Sequence, residues 1–281
     1  GQYPIMGTIA IRGTDISADV CPGLVNQIFQ DLNVGTLKQW PYTMSPPNAS
    51  ANLAAGSLDG FKHKILTLGV LETGGSVAKW VKKFTDTYPG TPIVVTGHSL
   101  GGCQATVLAA YLRSTESGVS ADVQICPNPF AGPTAGDAGF AAMYDNLFRN
   151  TARRWVNTFD VAPMAFNNDD LNELTNFWNA GAWNCGAAFV MPPDLEKLYG
   201  IVKSAVQNKG YTQPGSGLRS LGGMCGYPSS PSFLSQITSP NNFSQMMEMQ
   251  HFPPAYQNRL ALYMTDTGNP IMIWPAPQTA A

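Results

Sequence analysis

The run Ile93-Val-Val-Thr-Gly-His-Ser-Leu-Gly-Gly102 constrains this chain more than any other stretch. Its β-branched start reads as a strand of a parallel sheet, buried on both faces. The Ala-rich segment from Gly102 to Arg113 reads as a helix. Between them Gly97-x-Ser99-x-Gly101 leaves room for one tight turn, and a G-x-S-x-G in this strand–turn–helix setting is the pattern of a nucleophile elbow. The turn forces Ser99 into a strained backbone conformation that lifts its hydroxyl above the sheet edge. Gly97 and Gly101 remove side chains that would collide there. The helix beginning just after Ser99 aims free N–H groups and a positive dipole end at any oxyanion formed nearby.

Other segments repeat the strand–helix alternation of an α/β sheet. Thr8–Ile11 reads as a buried strand ending at Arg12-Gly13-Thr14, and the stripe Leu24, Val25, Ile28, Phe29 and Leu32 as a helix. The segment 40–50, with aromatics, turn residues and two adjacent prolines, reads as a loop. Helical spacing between Phe61 and Tyr88 is interrupted at Gly74-Gly75. Val123–Cys126 reads as a strand followed by a Gly/Pro turn region, Phe140–Phe148 as a helix and Trp155–Thr158 as a strand. Beyond Asn167 the pattern loosens, with one convincing helix, Asp194–Gln207, and a terminal helix from Ala255 to Met264. The expectation is a single domain over residues 1–281, with insertions at about 15–60 and 167–247.

Composition narrows the function classes. Charged residues are only 12% of the chain and the net charge is −2, so no basic surface is available to attract nucleic acid. No run approaches the ~18 apolar residues of a membrane span, and Gly1–Gly7 lacks the basic and apolar parts of a secretory leader. The five cysteines, at 21, 103, 126, 185 and 225, have no metal-site spacing. Cys103 and Cys126 sit in core-like contexts and should be free thiols, whereas Cys185 and Cys225, in Gly-rich loops, are expected to pair. Sparse charge with abundant neutral polar residues suggests a secreted protein.

A serine nucleophile needs a base and a carboxylate to hold that base in one tautomer. There are three histidines. His98 lies inside the elbow, pointing away from Ser99, and reads as a packing residue. His63 precedes Ser99, against the chain order serine, acid, histidine. His251, in a loop-like stretch ahead of the terminal helix, remains as the base. Asp160, at the end of the Trp155–Thr158 strand, is the best-placed acid. Asp169 and Asp170 are rivals that also read as a solvated turn.

Ile11-Arg-Gly-Thr14, Gly60-Phe61, VVTGHSLGG, Phe130-Ala-Gly-Pro-Thr-Ala-Gly136 and Arg154-Trp-Val-Asn-Thr-Phe-Asp-Val161 together resemble the class 3, fungal-type lipases, and His251 with Tyr256 extends the likeness. The resemblance implies an α/β-hydrolase fold, with a mostly parallel central sheet flanked by helices and long loop insertions as lid candidates. It implies a triad of Ser99, Asp160 and His251, with the backbone N–H groups of Thr14 and Leu100 as the oxyanion hole. No cofactor and no metal are expected, and the partner is a lipid or other ester, met at an oil–water interface. The expected activity is triacylglycerol lipase or carboxylesterase, with phospholipase A-type and feruloyl-type esterases as relatives of the same motif. A lipid-binding module without catalysis is the reading from a different class. Leu24, Val25, Ile28 and Phe29 in the first insertion, and Phe177, Trp178, Trp183, Met246 and Met247 in the second, are apolar candidates for the lid or the substrate site.

Overall fold

A computed structural model describes residues 4–13, 33–45, 50–67, 74–174, 177, 190–221, 246–247, 250–251, 253, 255–257 and 260. Among them a five-stranded sheet has the order β1 (Gly7–Ile11), β4 (Ile93–His98), β5 (Ile125–Phe130), β6 (Arg154–Asn157), β7 (Leu218–Leu221), every neighbouring pair parallel. A separate antiparallel pair joins β2 (Leu37–Gln39) to β3 (Asn52–Ala54). Parallel neighbours require crossovers, and these supply the helices.

The helices are α1 (Ala55–Gly60), α2 (Val77–Thr87), α3 (Leu100–Leu112), α4 (Ala138–Phe148), α5 (Asn168–Glu173) and α6 (Pro193–Val206). The α3 helix is buried from Gly101 to Leu112, which explains why its sequence is apolar all round rather than striped. Side-chain caps start three others: Ser76 accepts from Lys79 N–H at the head of α2, Asp137 from Phe140 N–H at the head of α4, and Asn167 from the Asp169 and Asp170 N–H groups at the head of α5. The main core lies around α3, where Phe61, Leu108, Leu112, Phe140, Tyr144 and Phe148 are fully enclosed. Among the described residues no helix is long and apolar enough to cross a membrane.

Several elements depart from the sequence expectation, each for a physical reason. The β1 strand is half-exposed, with Thr8 and Ala10 outward, because among the described strands it is an edge paired only with β4. The β5 strand begins at Ile125 and runs on through Pro127 and Pro129 to Phe130. Gln124 accepts from Ile93 at the start of β4 and Phe130 from Ser99 just past its end, so the alternating prolines turn their missing N–H groups toward β6, where the ladder is reduced to the Phe130–Trp155 pair and Pro127 offers only its carbonyl, to Arg153 N–H. Among the described residues of the Phe61–Tyr88 stretch, Phe61–Ile65 forms a π-helical turn and Val77–Thr87 an α-helix. The loosened second insertion contributes β7 to the main sheet and α5 to the packing around Phe166 and Val202. The described residues of the loop after β2, 40–45 and 50, are irregular as expected, yet Trp40 and Met44 are buried, with Trp40 against Tyr42 and Phe140. Cys103 and Cys126 are buried free thiols. Cys185, Cys225 and the stripe from Leu24 to Leu32 lie outside the described residues, as do Trp178 and Trp183.

Candidate active site

Ser99 links β4 to α3 at φ 60°, ψ −128°, a region that residues with a side chain rarely occupy. The neighbouring glycines make this turn sterically feasible. A Cβ on Gly97 would lie 2.3 Å from the Gly101 carbonyl oxygen, and one on Gly101 would lie 2.2 Å from the Ile11 carbonyl oxygen. The end of β1 therefore presses directly on the elbow. Gly13 approaches as closely, since a Cβ there would sit 2.6 Å from the His98 carbonyl oxygen and 3.4 Å from Ser99 Cβ.

The other two groups come from distant chain. After β6, Asn157 shapes the turn that presents Asp160: its carbonyl accepts from Asp160 N–H and its side-chain oxygen accepts from Phe159 N–H. Asn157 Nδ2 also donates to the Gln250 backbone oxygen at 2.8 Å and to Gln250 Oε1 at 2.9 Å, tying β6 to the residue before His251. His251 then places Nδ1 2.9 Å from Asp160 Oδ2 and Nε2 2.8 Å from Ser99 Oγ. All three side chains are nearly enclosed, with Ser99 4%, Asp160 1% and His251 3% exposed. A carboxylate only accepts, so the His251 proton resides on Nδ1. The Nε2 lone pair then faces the serine hydroxyl.

The Asp160 carboxylate is fully engaged. Besides His251 it accepts from Ala162 N–H at 2.9 Å and from the Tyr256 hydroxyl at 2.6 Å, while Tyr256 itself accepts from Asn157 N–H. Burial, then the adjacent Asp160 charge, raises the Tyr256 phenol well above its ordinary range, so it remains an O–H donor. His98 packs tilted against the His251 ring and edge-on to Tyr256. Burial lowers its pKa to about 4.

Of the sequence candidates, Ser99, Asp160 and His251 converge. Leu100 opens α3, where its N–H has no acceptor within the helix. Thr14 lies outside the described residues. Asp169 and Asp170 occupy the first turn of α5 behind the Asn167 cap, where acidic side chains complement the helix dipole. His63 is exposed. Met246 and Met247 are buried beside the segment carrying His251. Sequence reasoning gave no role to Asn157 or Gln250. An amide on a buried strand position, where apolar residues are the norm, is the signal that could have flagged Asn157. Among the described residues no cluster of three or more His, Cys, Asp or Glu could hold a metal ion.

Comparison with known proteins bears on the fold and the family. The crystal structure of M37 lipase superposes with a TM-score of 0.72, covering 91% of this chain and 70% of that one at 23% identity, a likeness of fold. The parallel sheet, its flanking helices and this superposition make the architecture an α/β-hydrolase fold. Phospholipase A1-II 4 of Oryza sativa subsp. japonica is 35% identical over 85 residues, 30% of this chain. The match spans only 22% of that relative's length. The model of the family described as lipase (class 3) matches residues 8–169, which hold all but the first residue of β1, the elbow and Asp160. That match takes in more than half of the sequence, and the chain belongs to the class 3 lipase family.

Proposed function

We propose that the protein is a serine hydrolase of lipid esters, acting through Ser99, His251 and Asp160. The single observation that carries this reading is the unbroken line of hydrogen bonds from Ser99 Oγ through His251 to Asp160. His251 Nε2 removes the hydroxyl proton as Ser99 Oγ forms a bond to the ester carbonyl carbon. The carbonyl electrons move onto oxygen, which is held by the N–H groups of Leu100 and Thr14. The close approach of Gly13 to Ser99 supports Thr14 in that role. When the intermediate collapses, the C–O bond to the alcohol breaks and His251 returns its proton to the departing oxygen. Water, deprotonated by His251, then releases the acid from the acyl-enzyme. Asp160 orients the imidazole and balances its charge while it carries the extra proton.

Triacylglycerol is the substrate class that the family supports first. A phospholipid is the second reading, favoured by the match to a phospholipase A1. The low charge content supports work outside the cell. Ser99→Ala should leave circular dichroism unchanged and abolish both ester hydrolysis and labelling by a fluorophosphonate probe; labelling of another residue sinks the assignment. Initial rates on emulsified triglyceride, phospholipid vesicles and a soluble feruloyl ester, compared at equal enzyme, rank the substrate classes. A binding module without catalysis would turn over none of them.

A further inference from the structure

The Cβ–Cγ bond and the hydrogen bonds at Nδ1 and Nε2 locate the His251 imidazole, and the tolerance of those two hydrogen bonds leaves the ring room for small rocking motions. A contact on the ring itself limits that rocking and keeps Nε2 aimed at the serine proton. The structure provides a wall of rings. Trp155 on β6 stacks on Phe130 of β5, with centroids 5.9 Å apart and planes inclined by 9°. Phe130 meets Tyr256 edge-on at 6.2 Å, and Tyr256 meets His98 edge-on at 5.4 Å. His98 in turn lies 4.8 Å from the His251 ring centroid, inclined by 43°. His98 also donates a ring N–H to the His251 backbone, while its Nε2 is buried without a hydrogen-bond partner.

We infer that His98 is a positioning residue for the base, limiting the rocking of the His251 imidazole through a tilted contact with its ring and a hydrogen bond to its backbone. Because His98 directly precedes Ser99, the elbow carries nucleophile and buttress as one rigid piece. A shift of the elbow carries both ends of the Ser99–His251 contact together. The wall also explains why the position holds a ring that can donate. Phenylalanine would supply the face but no N–H, and asparagine the N–H but no face. Burial, reinforced by the neighbouring His251, lowers the His98 pKa to about 4, with Asp160 opposing. The buttress therefore stays neutral while His251 holds a second proton, and no repulsion arises between the two rings.

This inference rests on the Ser99–His251–Asp160 reading, and the test separates the two. His98→Phe, His98→Asn and His98→Ala are assayed with a soluble ester, with rates normalised to Ser99 sites titrated by a fluorophosphonate. Thermal melts establish that each variant is folded. The single-function losses in His98→Phe and His98→Asn should each lower kcat about tenfold with KM within twofold, and His98→Ala about a hundredfold, the scale on which small misplacement of a reacting group acts. The low-field proton resonance of His251 Nδ1–H should be sharp in the unsubstituted protein and broadened in His98→Ala. Folded variants with kcat per titrated site within twofold of the unsubstituted protein overturn the inference alone. So does a loss that only tracks the fraction of sites titrated, since that is a purely structural role. Failure of Ser99 to label in the unsubstituted protein overturns the triad reading, and this inference with it.

Discussion

Tyr256 makes two hydrogen bonds with one hydroxyl, accepting from the Asn157 backbone and donating to the Asp160 carboxylate. Tyr256→Phe deletes the donor and leaves the Asn157 N–H enclosed without its acceptor. A lost bond to a charged group, with a buried donor orphaned, should lower unfolding free energy by about 2 kcal/mol. Asp160 loosens at the same time, and kcat should fall about tenfold. Urea unfolding and steady-state kinetics on the purified variant check both. His98 adds a dependence on pH. Its ordinary value of 6.5 is lowered to about 4 in the folded chain, where His251 and Asp160 face it. Between those values the unfolded chain binds a proton there that the folded chain refuses, so stability falls as pH drops. The contribution is present in full above pH 6.5 and lost by about pH 4, up to ~3 kcal/mol. His98→Phe should flatten that window in urea titrations at pH 7, 5 and 4; an identical slope in both proteins rejects the idea.

The elbow could be read in advance because all its requirements are local: a β-branched strand, glycines where chain crosses chain, and a helix directly after. Gly101→Ala should therefore be severe. Its Cβ would lie 2.2 Å from the backbone oxygen of Ile11, and the variant should lose more than about 3 kcal/mol or fail to fold. Gly200 on α6 is the counterpart, for a Cβ there meets nothing within 4 Å. Gly200→Ala should raise stability by ~0.5–1 kcal/mol in a urea melt. Elements defined by distant partners were less legible. The β7 strand is four residues, Leu218-Arg-Ser-Leu221, with no strong alternation, and only pairing with β6 makes it a strand. Pro127 and Pro129 disguised β5, because their tolerance depends on which neighbour each N–H side faces. Asn157 showed only as an amide on a strand position, and its partner Gln250 had no local signal, since their bond joins residues 93 apart in sequence. The free state of Cys103 and Cys126, by contrast, followed from apolar surroundings. Burial pushes the two thiols up to about 12 and about 11. Neither should react with a thiol reagent at pH 8 until the protein is unfolded.

Every described strand of the central sheet is parallel to its neighbours, so each pairing waits on a crossover, and the sheet is built from contacts remote in sequence. The site inherits this remoteness. His251 meets Asp160 across 91 residues and Ser99 across 152. Neither contact forms until β4 and β6 lie in the sheet and the segment around Gln250 and Tyr256 docks on β6. Loop closure makes such contacts slow relative to local ones. Activity is thus the last property the chain acquires: a chain folded as far as the sheet would hold Ser99 in its elbow and still be unable to attack an ester. During refolding from urea, the tryptophan fluorescence of Trp40 and Trp155 should recover ahead of fluorophosphonate labelling, and equal time courses would contradict this order. The same delay works as a safety catch built into the topology: under the proposed reading, the serine stays without its base, and the chain without hydrolytic power, until the last segment has seated.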